Sequence, residues 1–133
     1  MSGTVVVYAV GDVCVNRERP DSIFAHVSST INSADIAFCQ LETVYSEKGT
    51  PAPQSRVPMK AHPKNAPAIR RAGFSIVSFA TNHHLDWGVE AFLDTINIMR
   101  ETGVQIIGVG KDLDEARHPA IIDCKKTKIA FLA

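Results

Sequence analysis

Cysteine, charge of one sign and long apolar runs are all scarce in this sequence, and each shortage excludes a class of protein. The three cysteines, Cys14, Cys39 and Cys124, are odd in number and have no CxxC spacing, so neither a disulfide framework nor a thiolate zinc site fits. Free buried thiols are the expectation for all three. Fourteen basic residues balance fourteen acidic ones, and the basic blocks do not exceed the pairs Arg70-Arg71 and Lys125-Lys126. A nucleic-acid partner or an anionic membrane surface would call for a concentrated basic patch, which is missing. Nothing approaches eighteen consecutive apolar residues, and the start "MSGTVVVYAVGD" has no basic n-region and too short an apolar run for a secretory signal. A soluble, cytoplasmic protein without a membrane segment is therefore expected.

What is present is enough apolar material, 45% of 133 residues, for a single domain with one core. Thr4 to Val10, "TVVVYAV", is a β-branched run ending at Gly11-Asp12, expected to be a strand buried on both faces. Pro20, Asp21 and Ser22 then signal a helix over "IFAHVSSTIN", with Ile23, Val27 and Ile31 four residues apart. "DIAFCQLE" is a second apolar run that ends on Glu42. A long segment with four prolines follows, up to Pro63, and a loop of that length in a compact domain is usually functional or disordered. A helix from Pro63 to Arg71 or Ala72, stopped by Gly73, leads to the strand "FSIVSFA" and then to Thr81-Asn82-His83-His84. Phe92, Ile96 and Met99 set a helix from Val89 to Thr102, closed by Gly103. "VQIIGVG" is a fourth strand, Leu113 to Arg117 a short acidic helix, and "AIIDC-KKT-KIAFLA" two strands across a tight turn.

Strands and helices alternating at this spacing predict an α/β fold of βαβ units, a mostly parallel sheet flanked by helices. Parallel strands bring their carboxyl ends to one edge, where α/β proteins bind ligands. The residues just past the first three ends are Gly11-Asp12, Gln40-Leu41-Glu42 and Thr81-Asn82-His83. Asp12, Glu42, Asn82 and His83 are oxygen donors plus an imidazole, the mix that suits Mn, Mg, Fe or Zn. Two carboxylates on one edge repel unless a cation or shared proton lies between them, and a divalent metal resolves that conflict. Taken singly, each residue also has a structural reading. Asp12 suits a turn, Glu42 a solvated acid, Asn82 a left-handed backbone and His83 a cap or core position, while Asp86 is placed to cap the helix that follows.

The series "AVGDV", "FCQLET", "KAHPKNAPAIRRAGFSIVSFATNHHLDWGVEAFLDTINIMRETGVQIIGVG" and "KIAFLA" resembles the N-terminal half of the poly-gamma-glutamate capsule synthesis (CapA) family, within the calcineurin-like metallophosphoesterase superfamily. The resemblance runs over nearly the whole chain and implies half of a metallophosphoesterase-like α/β sandwich. It implies that Asp12, Glu42 and Asn82 hold a divalent metal, that His83 protonates a leaving group or steadies developing charge, and that Asp86 orients His83. Lys60 matches an arginine of the family and is given a role in holding an anionic substrate, small or polyglutamate-like; His84 is a further candidate for lining the site. Gln40 stands where the family has Asn, His62 where it has Pro, and Cys14 where the wider superfamily has a ligating His. The implied activity is hydrolysis of a phosphoester or an amide. The alternatives are a non-catalytic accessory protein for capsule or polyglutamate handling, and a lobe inactive by itself. The apolar terminus "KIAFLA" favours a piece of a longer protein over an oligomeric partner that completes sheet and site.

Overall fold

The computed structural model describes residues 3–133. Its centre is a four-stranded, all-parallel sheet in the order β1-β2-β5-β6, built from Val7–Val13 (β1), Ile36–Leu41 (β2), Ile76–Ser78 (β5) and Gln105–Ile107 (β6). Two very short strands, Val44–Tyr45 (β3) and Lys60–Ala61 (β4), pair in parallel to either side of the proline-rich segment. Ala120–Cys124 (β7) and Thr127–Phe131 (β8) form an antiparallel hairpin. The expected mixed α/β architecture with its mostly parallel sheet is the one observed.

Alternation along β2 explains the layering, because successive side chains leave a strand on opposite faces. Ala37, Cys39 and Leu41 enter the larger core with Ile69, Phe74, Ile96 and Met99, under the helices Pro67–Arg71 (α2) and Gly88–Glu101 (α3). Ile36 and Phe38 point the other way, to Ile76, Ile107 and the β7–β8 hairpin, where Phe38 stacks on Phe131 at 6.1 Å. The hairpin therefore covers the sheet face that the helices leave open. The predicted third helix lies within one residue of α3, and the short acidic helix is Leu113–Ala116 (α4), capped by Asp112.

Four expectations are corrected. β1 is not buried on both faces. It is an edge strand bonded only to β2 among the described residues, and Val7, Tyr8 and Val10 remain 41%, 38% and 43% exposed beside an open apolar groove. An unbroken apolar run shows what a strand can bury, not what is there to cover it. The helix expected over Ile23–Asn32 is broken into a 3-10 turn, Pro20–Phe24, and a single α-turn, Ser28–Ile31 (α1). Ser, Thr and β-branched residues dominate that segment and carry little helix propensity. Of the cysteines only Cys39 is fully buried; Cys14 and Cys124 are partly exposed, and all three are free. The Pro63 helix is also divided, into a 3-10 turn Pro63–Asn65 and α2, and Gly73 with φ of 114° ends it as expected. Among the described residues no helix is long and apolar enough to cross a membrane.

Candidate functional site

β1 and β2 keep one register from Val7↔Ile36 to Ala9↔Phe38, then slip by one residue so that Asp12 lies opposite Gln40. The extra residue falls at Val10-Gly11, a β-bulge at the carboxyl end of the strand, where bulges re-aim the side chains that follow. With this slip Asp12, Gln40 and Glu42 line one cavity of about 450 Å³, whose opposite wall is Ala80, Thr81 and Asn82, just past β5. The three polar clusters expected at three strand ends thus meet. The lone glycine inside an apolar strand was the available signal for the bulge.

Thr81, buried, holds the cluster together. Its hydroxyl donates to Glu42 Oε2 at 3.1 Å and accepts the His83 backbone N–H at 3.3 Å. His83 lies between two acids: Nε2 is 3.5 Å from Glu42 Oε1, and Nδ1 is 2.7 Å from Asp86 Oδ2. Asp86 does not cap α3, whose N-cap position is Trp87, with no side-chain cap bond. It is buried and engaged elsewhere: Ser55 donates its hydroxyl to Oδ1 at 2.7 Å, and the Met59 N–H donates to Oδ2 at 2.7 Å. Burial pushes this carboxyl up, but the Met59, His83 and Ser55 bonds together outweigh it, leaving Asp86 below the usual carboxylate range. An ionised Asp86 accepts from His83, which places an imidazole proton on Nδ1 and turns Nε2 to Glu42.

The proline-rich segment is consequently tied down at both ends. Near its start Ser46 and Lys48 donate to Asp94 of α3 at 2.6 and 2.7 Å. Farther on, Ala52 N–H donates to the Asp86 carbonyl at 2.7 Å, in addition to the two side-chain bonds to Asp86. Gly49 is required where the loop crosses α3: its φ is 77°, and an added Cβ would lie 2.0 Å from the Trp87 carbonyl oxygen. The loop walls a second cavity of about 340 Å³, formed by Ala52, Gln54 to Val57, Leu85 and Asp86 together with Asn82 and His83. Asn82 lines both cavities. Ser55 and Arg56 were not singled out in the sequence: Ser55 matters through Asp86, 31 residues away along the chain, and Arg56 through the cavity it shares with Asn82 and His83.

Lys60 and His84 are placed differently from these residues. Lys60 Nζ donates to the Lys48 carbonyl at 2.6 Å and sits 4.0 Å over the Trp87 ring, outside the lining of both cavities. His84 Nδ1 bonds to the Thr81 carbonyl, and its ring packs 5.5 Å from Phe92 and 6.4 Å from Phe79, also outside both linings. Cys14, beside the bulge, is raised above its ordinary value by burial and by the Glu42 charge, which keeps it a neutral thiol.

The donors fit a hard divalent cation in kind, since two carboxylates and an amide oxygen line one polar cavity. Among the described residues, however, no three or more His, Cys, Asp and Glu side chains are grouped so as to hold a metal ion. Residues 3–133 match the model of the family described as bacterial capsule synthesis protein PGA_cap. The chain belongs to this PGA_cap family. Among similar proteins, 94% of the chain aligns at 32% identity with the uncharacterized protein y4sH of Sinorhizobium fredii, covering 29% of that protein. A "Probable polyglutamine synthesis accessory protein" of Mycobacterium tuberculosis is 32% identical over 68% of the chain and 24% of its own length. The "Capsule biosynthesis protein CapA" of Bacillus anthracis is 24% identical over 89% of the chain and 29% of its own length. The chain therefore spans less than a third of the length of these curated relatives.

Proposed function

We propose that this chain carries part of a metal-dependent hydrolase site that acts on a phosphoester or amide bond of an anionic substrate in capsule or polyglutamate synthesis. One observation carries the reading: three parallel strand ends bring Asp12, Glu42 and Asn82 to one cavity, and His83 stands beside it between Glu42 and Asp86. Asp12, Glu42 and Asn82 would hold the cation, with its remaining positions left to water or to groups outside this trio. When bound, a divalent cation supplies Lewis acidity and a more acidic water. The chain's own part is proton handling and orientation. Asp86 fixes the imidazole through Nδ1, so Nε2 is the atom that exchanges a proton with the leaving group. Glu42 Oε1 faces that same nitrogen, and the Thr81 hydroxyl holds the other Glu42 oxygen in place.

A second reading, a non-catalytic accessory protein, is supported by the printed name of the mycobacterial relative. The two readings separate on metal content and on mutation. The hydrolase reading expects stoichiometric divalent metal and activity on a phosphoester or amide panel that Asp12→Ala and His83→Ala abolish. A metal-free protein whose function tolerates both substitutions establishes the accessory role instead.

A further inference from the structure

We infer that the anchored loop Pro51–Met59 is the anion-gripping wall of this site, with Arg56 as its cation for a phosphate or carboxylate group of the ligand. Arg56 lines the smaller cavity together with Asn82 and His83, and through Asn82 that cavity adjoins the one holding Asp12 and Glu42. A ligand spanning both would place one oxyanion at Arg56 and its reacting bond near His83.

The charges around Arg56 leave it available. The carboxylate sharing its cavity, Asp86, is engaged by Ser55, Met59 and His83, and Arg56 has no ion-pair partner among the described residues. Lys60, the other cation near this loop, is tied to the Lys48 carbonyl and the Trp87 ring. A guanidinium offers a planar pair of N–H donors that matches phosphate and carboxylate oxygens alike. Two features make the loop a wall rather than a loose flap: the three bonds to Asp86 and the close crossing at Gly49. Because Asp86 also holds His83, the loop that grips the anion and the imidazole that moves the proton share one anchor.

The inference rests on the proposed function only in taking Asn82 and His83 as part of a reaction site. Its test is an NMR titration of the chain, in magnesium buffer, with inorganic phosphate in one arm and a γ-linked glutamate trimer in the other. Amide shifts at Ser55, Arg56, Asn82 and His83 with either probe are expected, and the arm that responds names the source of the oxyanion. Arg56→Gln should weaken that binding by about tenfold or more, Arg56→Lys by less, and Arg70→Gln, an exposed charge on α2, should leave it unchanged. Spectra of the free variants that overlay the wild type establish that they fold. Equal affinity in Arg56→Gln, shifts confined to other surfaces, or no binding of either probe would each overturn the inference. Arg56-dependent anion binding in a protein without metal uptake or turnover removes the hydrolase reading and leaves this one. Metal uptake that depends on Asp12, with anion affinity indifferent to Arg56, does the reverse.

Discussion

Asp86 Oδ2 lies 2.7 Å from His83 Nδ1, and the same oxygen accepts the Met59 backbone N–H at 2.7 Å. One buried carboxylate thus fixes the orientation of the imidazole and the path of the loop in front of it. Removing it should loosen both together.

Asp86→Ala leaves the Met59 N–H, the Ser55 hydroxyl and the His83 ring nitrogen without their partner in a largely buried place, which should cost about 3 kcal/mol of stability. Urea unfolding measures it. Asp86→Asn keeps the shape and some acceptor capacity and should cost less. A loss below about 0.5 kcal/mol for Asp86→Ala would mean that the loop is held by other contacts.

The lowered position of Asp86 sets the sign of its pH dependence. Its folded value is below the unfolded one, so its contribution is fully present above the ordinary aspartate value of about 3.9 and is lost as pH falls through the folded value. The stability gap between wild type and Asp86→Asn should therefore be constant near neutrality and shrink below about pH 4. A gap that widens on acidification contradicts the assignment.

Tyr45 is fully buried, and its hydroxyl accepts the Val15 N–H at 2.8 Å, joining the chain just past β1 to β3. Tyr45→Phe keeps the ring and strands a buried N–H, so the expected loss is about 1–3 kcal/mol, read by thermal or urea unfolding. A neutral result would require another partner for Val15.

The β7–β8 turn is made by Lys125 and Lys126 with φ of 47° and 67°, left-handed values that tight hairpins normally assign to Asn-Gly. Lys125 has compensation, because its ammonium bonds to Asp35 at 2.7 Å and to the Thr4 carbonyl at 3.0 Å. No such bond engages Lys126 among the described residues, so Lys126→Gly should raise stability by about 1 kcal/mol. A fall in the unfolding midpoint would show that the side chain contributes more than its backbone strain costs.

Much of this architecture was legible in the sequence where the signal is local. Phe92, Ile96 and Met99 repeat at helical spacing and α3 follows them, and the alternation of apolar runs with helix signals gives the parallel sheet that carries Asp12, Glu42 and Asn82 to one edge. What was not legible depends on contacts remote in sequence. Ser55 and Met59 reach Asp86 across 31 and 27 residues, and no pattern inside the proline-rich segment announces that partner. β1 reads as a core strand because its residues are apolar, whereas its exposure is decided by which elements lie beside it. The first helix is broken for a local reason, the low helix propensity of its Ser, Thr and Val residues.

The central claim, that three strand ends assemble a divalent-metal site, is tested most directly by calorimetric titration of the chain with manganese, with elemental analysis of the bound fraction. The account predicts stoichiometric uptake that Asp12→Asn and Glu42→Gln each weaken by about tenfold or more, while both variants remain folded. Uptake no greater than background, or uptake indifferent to both substitutions, would contradict it.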